Sequence, residues 1–482
     1  MSSGITFGWG DDGPSDDRLG TGGFSPGVTA RYAPSASLQL LGTFNPDFSQ
    51  VESDSSQIGV NRRFALFFEE KRPFFLEGQE WFNHPFGNLV YTRSMVAPIY
   101  GARATAEGGG WTVAGLHVLD AHPAPSVAEL GGWTEDQLGD AQAFETVVRA
   151  RRAVGSDSFL GAAFSDRTVL GTDLANRLGA FDARIRMSER WSADATALGS
   201  TTSGIGNDAF APAGAASLAY GSKHVGWSVW GDAVHPDFRA ENGYVTQTDR
   251  LGGGTSFSLD VFTKSKVLPR IQPIPFQGFA ATTTAGALKE YGADPGVYWV
   301  FGTGGDLWTS WSHQGVLYGG AFLKYDRAVV DTTLPWTRWL TTGGGFETGS
   351  SPLYDPAAPD VGWRDDVWGL LRVQPVPQLS AEFTATWKQF LLDEEQLYEG
   401  WVGRLRIEAF ASRRVWLRGI VDRSTFAGTV RGEGLIAWEH SPGSALYLGG
   451  SQTAVDPWAA AEADPTALGW QVFAKGSWVF TL

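Results

Sequence analysis

Ten ionisable residues between Asp47 and Glu77 hold most of the chemistry this sequence could do. Asp47, Glu52 and Asp54 are followed by Arg62 and Arg63, then by Glu69, Glu70, Lys71, Arg72 and Glu77. Charges of both signs at this density can do one of two things. Lining a passage, they form a constriction that selects solutes by charge. Packed against a wall, they pair with one another and with residues such as Arg184, Arg404 and Arg406, because a buried charge without a partner is strongly unfavourable. Phe74 and Phe75, inside the same run, read as anchors for the segment rather than as a platform for stacking sugars.

Other chemistry finds less support. A glycosidase needs two carboxylates about 5 to 10 Å apart, and Glu70 with Glu77, or Glu52 with Asp54, could be nominated. So could many pairs among 52 acids, so an enzyme is the last-ranked reading. The seven His are scattered, with no HxH or HExxH spacing, and no GxSxG is present, so no metal or cofactor is expected. A serine hydrolase built into a wall of strands would need Ser and His on neighbouring strands, which only a structure tests. Asp11, Asp12, Asp16 and Asp17 read as a solvated acidic loop rather than a calcium site.

The elements that must position the charged stretch are strands. Leu379, Ala381, Phe383, Ala385 and Trp387 alternate with Ser380, Glu382, Thr384, Thr386 and Lys388. Phe181, Ala183, Ile185 and Met187 alternate in the same way with Asp182, Arg184 and Arg186, and Trp401 to Ala409 repeats the pattern. One face is apolar and rich in small residues; the other carries charges of both signs. Alternation alone would also suit a soluble sandwich, so loop lengths decide. Short turns such as Gly155 to Asp157 and Ser188 to Glu189 contrast with long polar loops at Ala121 to Asp140, His235 to Arg250, Thr348 to Asp365 and Ala454 to Ala467, the asymmetry of outer-membrane barrels. Trp470, Val472, Ala474, Gly476, Trp478, Phe480 and Leu482 share one face of a final strand. Trp336, Trp339, Trp363, Trp368 and Trp401 are expected in the girdle at the lipid boundary.

Composition agrees. Gly 62, Trp 21 and Phe 30 are high and charged residues are 18%. Mean hydropathy is −0.14, and no run approaches the roughly 18 apolar residues of a spanning helix. A net charge of −15 argues against nucleic acid, and the absence of Cys removes disulfides and thiolate metal sites. No signal peptide is visible, nor does a TonB-box-like segment or plug-sized domain precede the wall, so energised uptake is disfavoured.

The expected architecture is a single antiparallel transmembrane β-barrel over residues 1–482, with about 24 to 26 strands. Pro269, Pro273 and Pro275 interrupt the pattern near Lys266 to Gly315. Taking Ser37 to Phe44 and Gln57 to Phe67 as antiparallel strands, parity requires a further crossing before Ala97. Asn88 to Arg93 would supply it. Residues 68–96 then form an insert in or under the lumen, with Glu69 to Pro85 obstructing a pore that would otherwise leak.

Four motifs carry a resemblance to a known family. They are Asn45-Pro-Asp-Phe-Ser-Gln-Val-Glu-Ser-Asp54, Phe67-Phe-Glu-Glu-Lys-Arg-Pro-Phe-Phe-Leu-Glu-Gly78, Tyr91-Thr-Arg93, and Gly101-Ala-Arg103 before Gly109-Gly-Trp111. Over about Phe24 to Leu119 the chain resembles the bacterial outer-membrane proteins grouped as domain-of-unknown-function family 5916. Members usually carry Pro where this chain has Glu69, and often an N-terminal module similar to family 9 carbohydrate-binding domains, absent here. The resemblance implies an outer-membrane barrel with a link to glycans and supplies no mechanism. The leading expectation is a channel or docking barrel for a polar or large substrate, a glycan among them, in contact with outer-membrane lipid. A scaffold for periplasmic or surface proteins is the alternative, and a barrel-embedded hydrolase ranks third.

Overall fold

The computed structural model describes residues 2–9, 27–46, 48, 51–127, 133–204, 208–441, 444–459 and 468–481. Among them 27 strand segments form one antiparallel sheet. Its last strand, Gly469–Thr481, pairs with Ser444–Val455 on one side and with the first, Ser2–Trp9, on the other. Ser2–Trp9 lies in turn beside Val28–Ser35, so the sheet closes into a barrel. Six of the segments are halves of interrupted strands. Asp260 splits Arg250–Leu259 from Val261–Phe262, Pro275 splits Arg270–Ile274 from Phe276–Thr282, and Asp294 and Pro295 split Leu288–Ala293 from Gly296–Val300. Among the described residues the wall therefore has 24 strands, and the prolines dent it without ending it, each removing one ladder donor.

Alternation sorts the residues as expected. Phe181 is 71% exposed on the outer face, while its neighbour Asp182 is 4% exposed on the inner one. The inner face holds ion pairs between neighbouring strands, among them Arg327–Glu347, Arg364–Glu347, Lys388–Asp366 and Arg404–Asp422, and Arg149–Asp182, which reaches over the strand between. The outer face holds Phe383, Leu405, Ile407, Val421 and Val472. Trp336, Trp339 and Trp363 are exposed on that outer face. Trp368 is not in the girdle: it shares the inward row of Arg364 and Asp366, and its indole N–H donates to Asp331 at 2.6 Å.

Segment 45–97, the loop 235–249 and the chain that follows Asp120 and Val455 all leave the wall at one end. The other end is made of tight turns such as 36–37, 109–110 and 377–378. By that asymmetry the long-loop end faces outward from the cell. Thr348 to Asp365 is not a long loop; strands Leu340–Leu353 and Asp360–Val376 extend into it and leave only 354–359.

The parity argument fails at its first step. Gln57 to Phe67 contains no strand, and neither does Asn88 to Arg93. Strand Leu38–Phe44 pairs directly with Pro98–Gly108, Phe44 opposite Tyr100, and Asn45 N–H donates to Ile99 O at 2.7 Å. With no vacant edge between these two strands, everything from 45 to 97 is an excursion from one hairpin end. With ~4.8 Å between strands and a tilt of ~40°, 24 strands give a circumference of roughly 150 Å and a barrel about 48 Å across.

Candidate functional site

The excursion is built from short turns rather than regular elements. Pro73–Leu76 is one helical turn started by Pro at its first position, followed by a 3₁₀ turn at Gln79–Phe82 that Gly78 enters with φ +69°. Phe74 and Phe75 of that turn are buried, with Met95 and Phe82, against Leu41, Ala114, Leu116 and Val147 of the wall. Arg103 on the wall donates to the Phe74 and Phe75 carbonyls at 3.1 and 3.0 Å, closing the exposed end of the short helix. Gly101 lets Phe74 lie flat on the strand, since a Cβ there would come within 2.6 Å of the ring.

The charged residues form a lattice with contacts on widely separated parts of the wall. Glu70 is 1% and Arg72 7% exposed. Arg72 donates to Glu70 through Nε (2.9 Å) and Nη2 (2.7 Å) and to the Met95 and Thr92 carbonyls, and its guanidinium lies over Phe75. The Thr92 hydroxyl donates to the same carboxylate at 2.7 Å. Burial alone would push Glu70 up, but the Arg72 guanidinium, the Arg72 N–H and the Thr92 hydroxyl outweigh it and hold its pKa below the ordinary value. Lys71 donates to Ser53 O and sits 3.7 Å from both Glu52 and Asp54, and Asp54 also pairs with Arg93.

Glu52 reaches the wall at Arg404 and Arg406, at 2.6 and 3.1 Å. Asn61 reaches Pro352 O at 2.9 Å and accepts from Tyr354 N–H at 2.7 Å. Arg63 pairs with Glu290 at 2.8 Å. On the opposite arc, Glu77 pairs with Arg31 at 2.8 Å and accepts from Gln39. His84 lies 3.3 Å from Asp182. The segment therefore crosses the interior, fixed to strands on both sides of it.

Of the ten residues singled out from sequence, Glu52, Asp54, Arg63, Glu70, Lys71, Arg72 and Glu77 belong to this lattice. Glu69 is exposed, and Arg62 donates to Ile58 O at 2.7 Å with no carboxylate partner among the described residues. Asp47 lies outside the described residues, as do Asp11, Asp12, Asp16 and Asp17. Arg184 does not touch the segment; it pairs with Asp194, its own cross-strand neighbour, at 2.7 Å. The carboxylate pairs nominated for glycoside chemistry are engaged with cations. His84, Asp182 and Thr196 do not form a nucleophile relay, because the carboxylate and the hydroxyl meet the same nitrogen, Nε2, while Nδ1 accepts from Phe86 N–H.

Sequence reasoning missed the partner that folds inward from 235–249. Tyr91 N–H donates to Asn242 O (2.7 Å) and Tyr244 N–H to Asn88 O (2.6 Å), with Gly243 in close backbone contact between them. Phe67 stacks on Tyr91 and Tyr244 meets both edge-on, at 5.0 to 5.2 Å between centroids. Burial pushes the Glu241 carboxyl up, against the Ser126 hydroxyl, Arg167 and Arg239. Loop and insert border an open pocket of about 500 Å³ against the wall, lined by Phe86, Tyr244, Trp230, Asp194, Asp232 and Arg250. Trp230 lies across Gly254, where a Cβ would come within 2.4 Å of the indole. No residue pattern in the loop announces this pairing; its Pro236-Asp-Phe and Asn242-Gly are ordinary turn signals.

Comparison with known proteins places this geometry. No curated protein matches the chain. Among solved structures it is similar to the copper transporter OprC, 8% identical over 79% of this chain and 77% of that one, with a TM-score of 0.51. It is also similar to the siderophore receptor PirA from Acinetobacter baumannii, 6% identical over 99% of this chain and 80% of that one, with a TM-score of 0.49. At such identities the likeness is one of fold. A family model described as "Domain of unknown function (DUF5916)" matches residues 16–105, a range that contains the whole excursion. The wall is thus that of a bacterial outer-membrane β-barrel, and residues 16–105 carry the signature of the family described as Domain of unknown function (DUF5916).

Proposed function

We propose that this barrel passes or docks a polar substrate across the outer membrane and that segment 45–97 restricts the passage. The observation that carries this reading is the span of the segment, from Glu77 on Arg31 to Arg63 on Glu290, twelve strands apart around a barrel about 48 Å across by the strand count. A segment needed only to join two adjacent strands would be a tight turn. This one instead places ion pairs on both sides of the lumen, and ionic contacts can be broken and remade in water more readily than a packed apolar plug. The pocket beside Trp230 supplies aromatic faces next to carboxylates and amides, which suits the rings and hydroxyls of a sugar.

The test is conductance in planar bilayers. Replacing 46–96 by a short Gly-Ser linker leaves the Leu38–Phe44 and Pro98–Gly108 pairing intact. The variant is expected to show large, steady openings where the parent chain is closed or nearly so. Equal conductance in the two proteins would refute the reading.

A further inference from the structure

Around Glu52 one carboxylate meets four cations. Its Oε1 is 2.6 Å from Arg404 Nη2 and 3.7 Å from Lys71 Nζ, and its Oε2 is 3.1 Å from Arg406 Nε and 4.0 Å from Arg418 Nη1. The three arginines are held on two adjacent wall strands, Glu395–Phe410 and Val415–Ser424, at inward positions where Arg404 faces Asp422 and Glu408 faces Arg418. The wall's own acids use only part of this donor set. Asp422 takes Arg404 Nη1 at 2.9 Å, and Glu408 takes Arg406 Nη2 at 2.8 Å. Arg404 Nη2 and Arg406 Nε remain pointed into the lumen, and among the described residues the carboxylate they meet is Glu52, carried on the insert. The other wall contacts of the insert are of a different kind. Arg63 meets a wall acid, Asn61 meets backbone groups, and Glu77 forms a one-to-one pair with half-exposed Arg31.

We propose that Glu52 is a built-in stand-in for an anionic group of the substrate, and that Arg404, Arg406 and Arg418 form the site that reads it. A carboxylate or phosphate arriving in the lumen fits the same forked donors. By taking them it removes one fastening of the insert. The released limb is not orphaned, because Lys71 lies equally close to Asp54 and follows it. Substrate recognition and opening are then one event, an exchange of a tethered anion for a free one. Since the tether gives Glu52 a high effective concentration, a free anion binds the parent chain weakly and binds better once Glu52 is neutral. This rests on the reading that segment 45–97 restricts passage.

The experiment titrates the purified full chain in detergent with inorganic pyrophosphate and, separately, with citrate, following heat of binding and the rate at which a protease cuts the insert. Glu52→Gln is expected to tighten binding at least tenfold. In the parent chain saturating anion is expected to speed cleavage of the insert. Arg406→Gln, which alters only the partly exposed arginine and keeps the buried Arg404–Asp422 pair, is expected to abolish the gain seen with Glu52→Gln. Tighter binding of pyrophosphate than citrate assigns a phosphate group, and the reverse assigns a carboxylate. Equal binding by parent and Glu52→Gln, or binding indifferent to Arg406→Gln, overturns the proposal. Conductance that rises on removal of 46–96 while neither anion binds leaves the passage reading standing and removes this one. Anion binding sharpened by Glu52→Gln without any conductance change on removal does the opposite.

Discussion

Replacing Glu70 by Gln should unfasten the insert while leaving the barrel closed. Glu70 is 1% exposed and receives two bonds from the Arg72 guanidinium, one from the Thr92 hydroxyl and one from the Arg72 N–H at 2.8 Å. Gln is close in shape, so the packing survives, but Arg72 is left as a buried guanidinium facing a neutral amide. Breaking a buried pair in this way costs about 3–5 kcal/mol. Because every atom involved belongs to the insert, the loss falls on the insert's own fold, and through it on its docking, and not on the strand ladder. At ~1.4 kcal/mol per factor of ten, the undocked population should rise by roughly 10² to 4 × 10³. Proteolysis at limiting protease reports that population when closing is faster than cutting. The expected result is cleavage within 45–97 accelerated at least a hundredfold, with the heat-modifiable gel mobility of a folded barrel retained. Acceleration below threefold would refute the assignment of Glu70 and Arg72 as the lock.

The same carboxylate makes docking depend on pH. Its pKa is held below 4.5 in the folded chain, so its contribution is complete above 4.5 and is lost as pH falls through the lower, folded value. Cleavage of the insert should be flat from pH 5 to 8 and rise below 4.5; a flat profile down to pH 3 would contradict this. Glu241 has the opposite sign, since its raised pKa means its loop gains stability as the carboxyl takes up a proton. Glu241→Gln should therefore protect 235–249 from protease at pH 7 and change little at low pH. Gly254→Val would place a Cβ 2.4 Å from Trp230 and 2.5 Å from Gly278 O, whereas a Cβ at Gly432 meets nothing within 4 Å. Overpacking at the first should lower stability by about 1–3 kcal/mol, seen as a lower thermal midpoint, and Gly432→Val should leave the midpoint unchanged.

What could be read from the chain follows from range. Strand faces are set by residues two apart, so Phe181 and Asp182, or Phe383 and Glu382, already declare which side meets lipid and which meets the lumen. The charge cluster from Glu52 to Glu77 was legible as a lattice because it carries both signs within one segment. Its limits were not. Ile58 and Val60 alternate with polar neighbours as a strand would, yet a strand needs an open edge, and the pairing of Leu38–Phe44 with Pro98–Gly108 leaves none. Arg184 shows the same limit from the other side, since a cross-strand acid at Asp194 was nearer than anything on the insert. The contacts of the Asn61 amide with Pro352 and Tyr354, and of the Asn88 carbonyl with Tyr244 N–H, join groups far apart in the chain and leave no trace in local pattern.

A chain without cysteine offers a direct test of whether the insert crosses the lumen. Asn61 Oδ1 lies 2.7 Å from Tyr354 N–H, which sets the two backbones within reach of a disulfide or a short dithiol linker. The Asn61→Cys, Tyr354→Cys pair, oxidised in outer membranes, should close into a single looped species in high yield, while Asn61→Cys with Phe346→Cys on the lipid face should not. Failure of the first pair to close, or equal closure of both, would mean that the charged segment does not span the interior, and the account of a wall bridged by its own insert would be wrong.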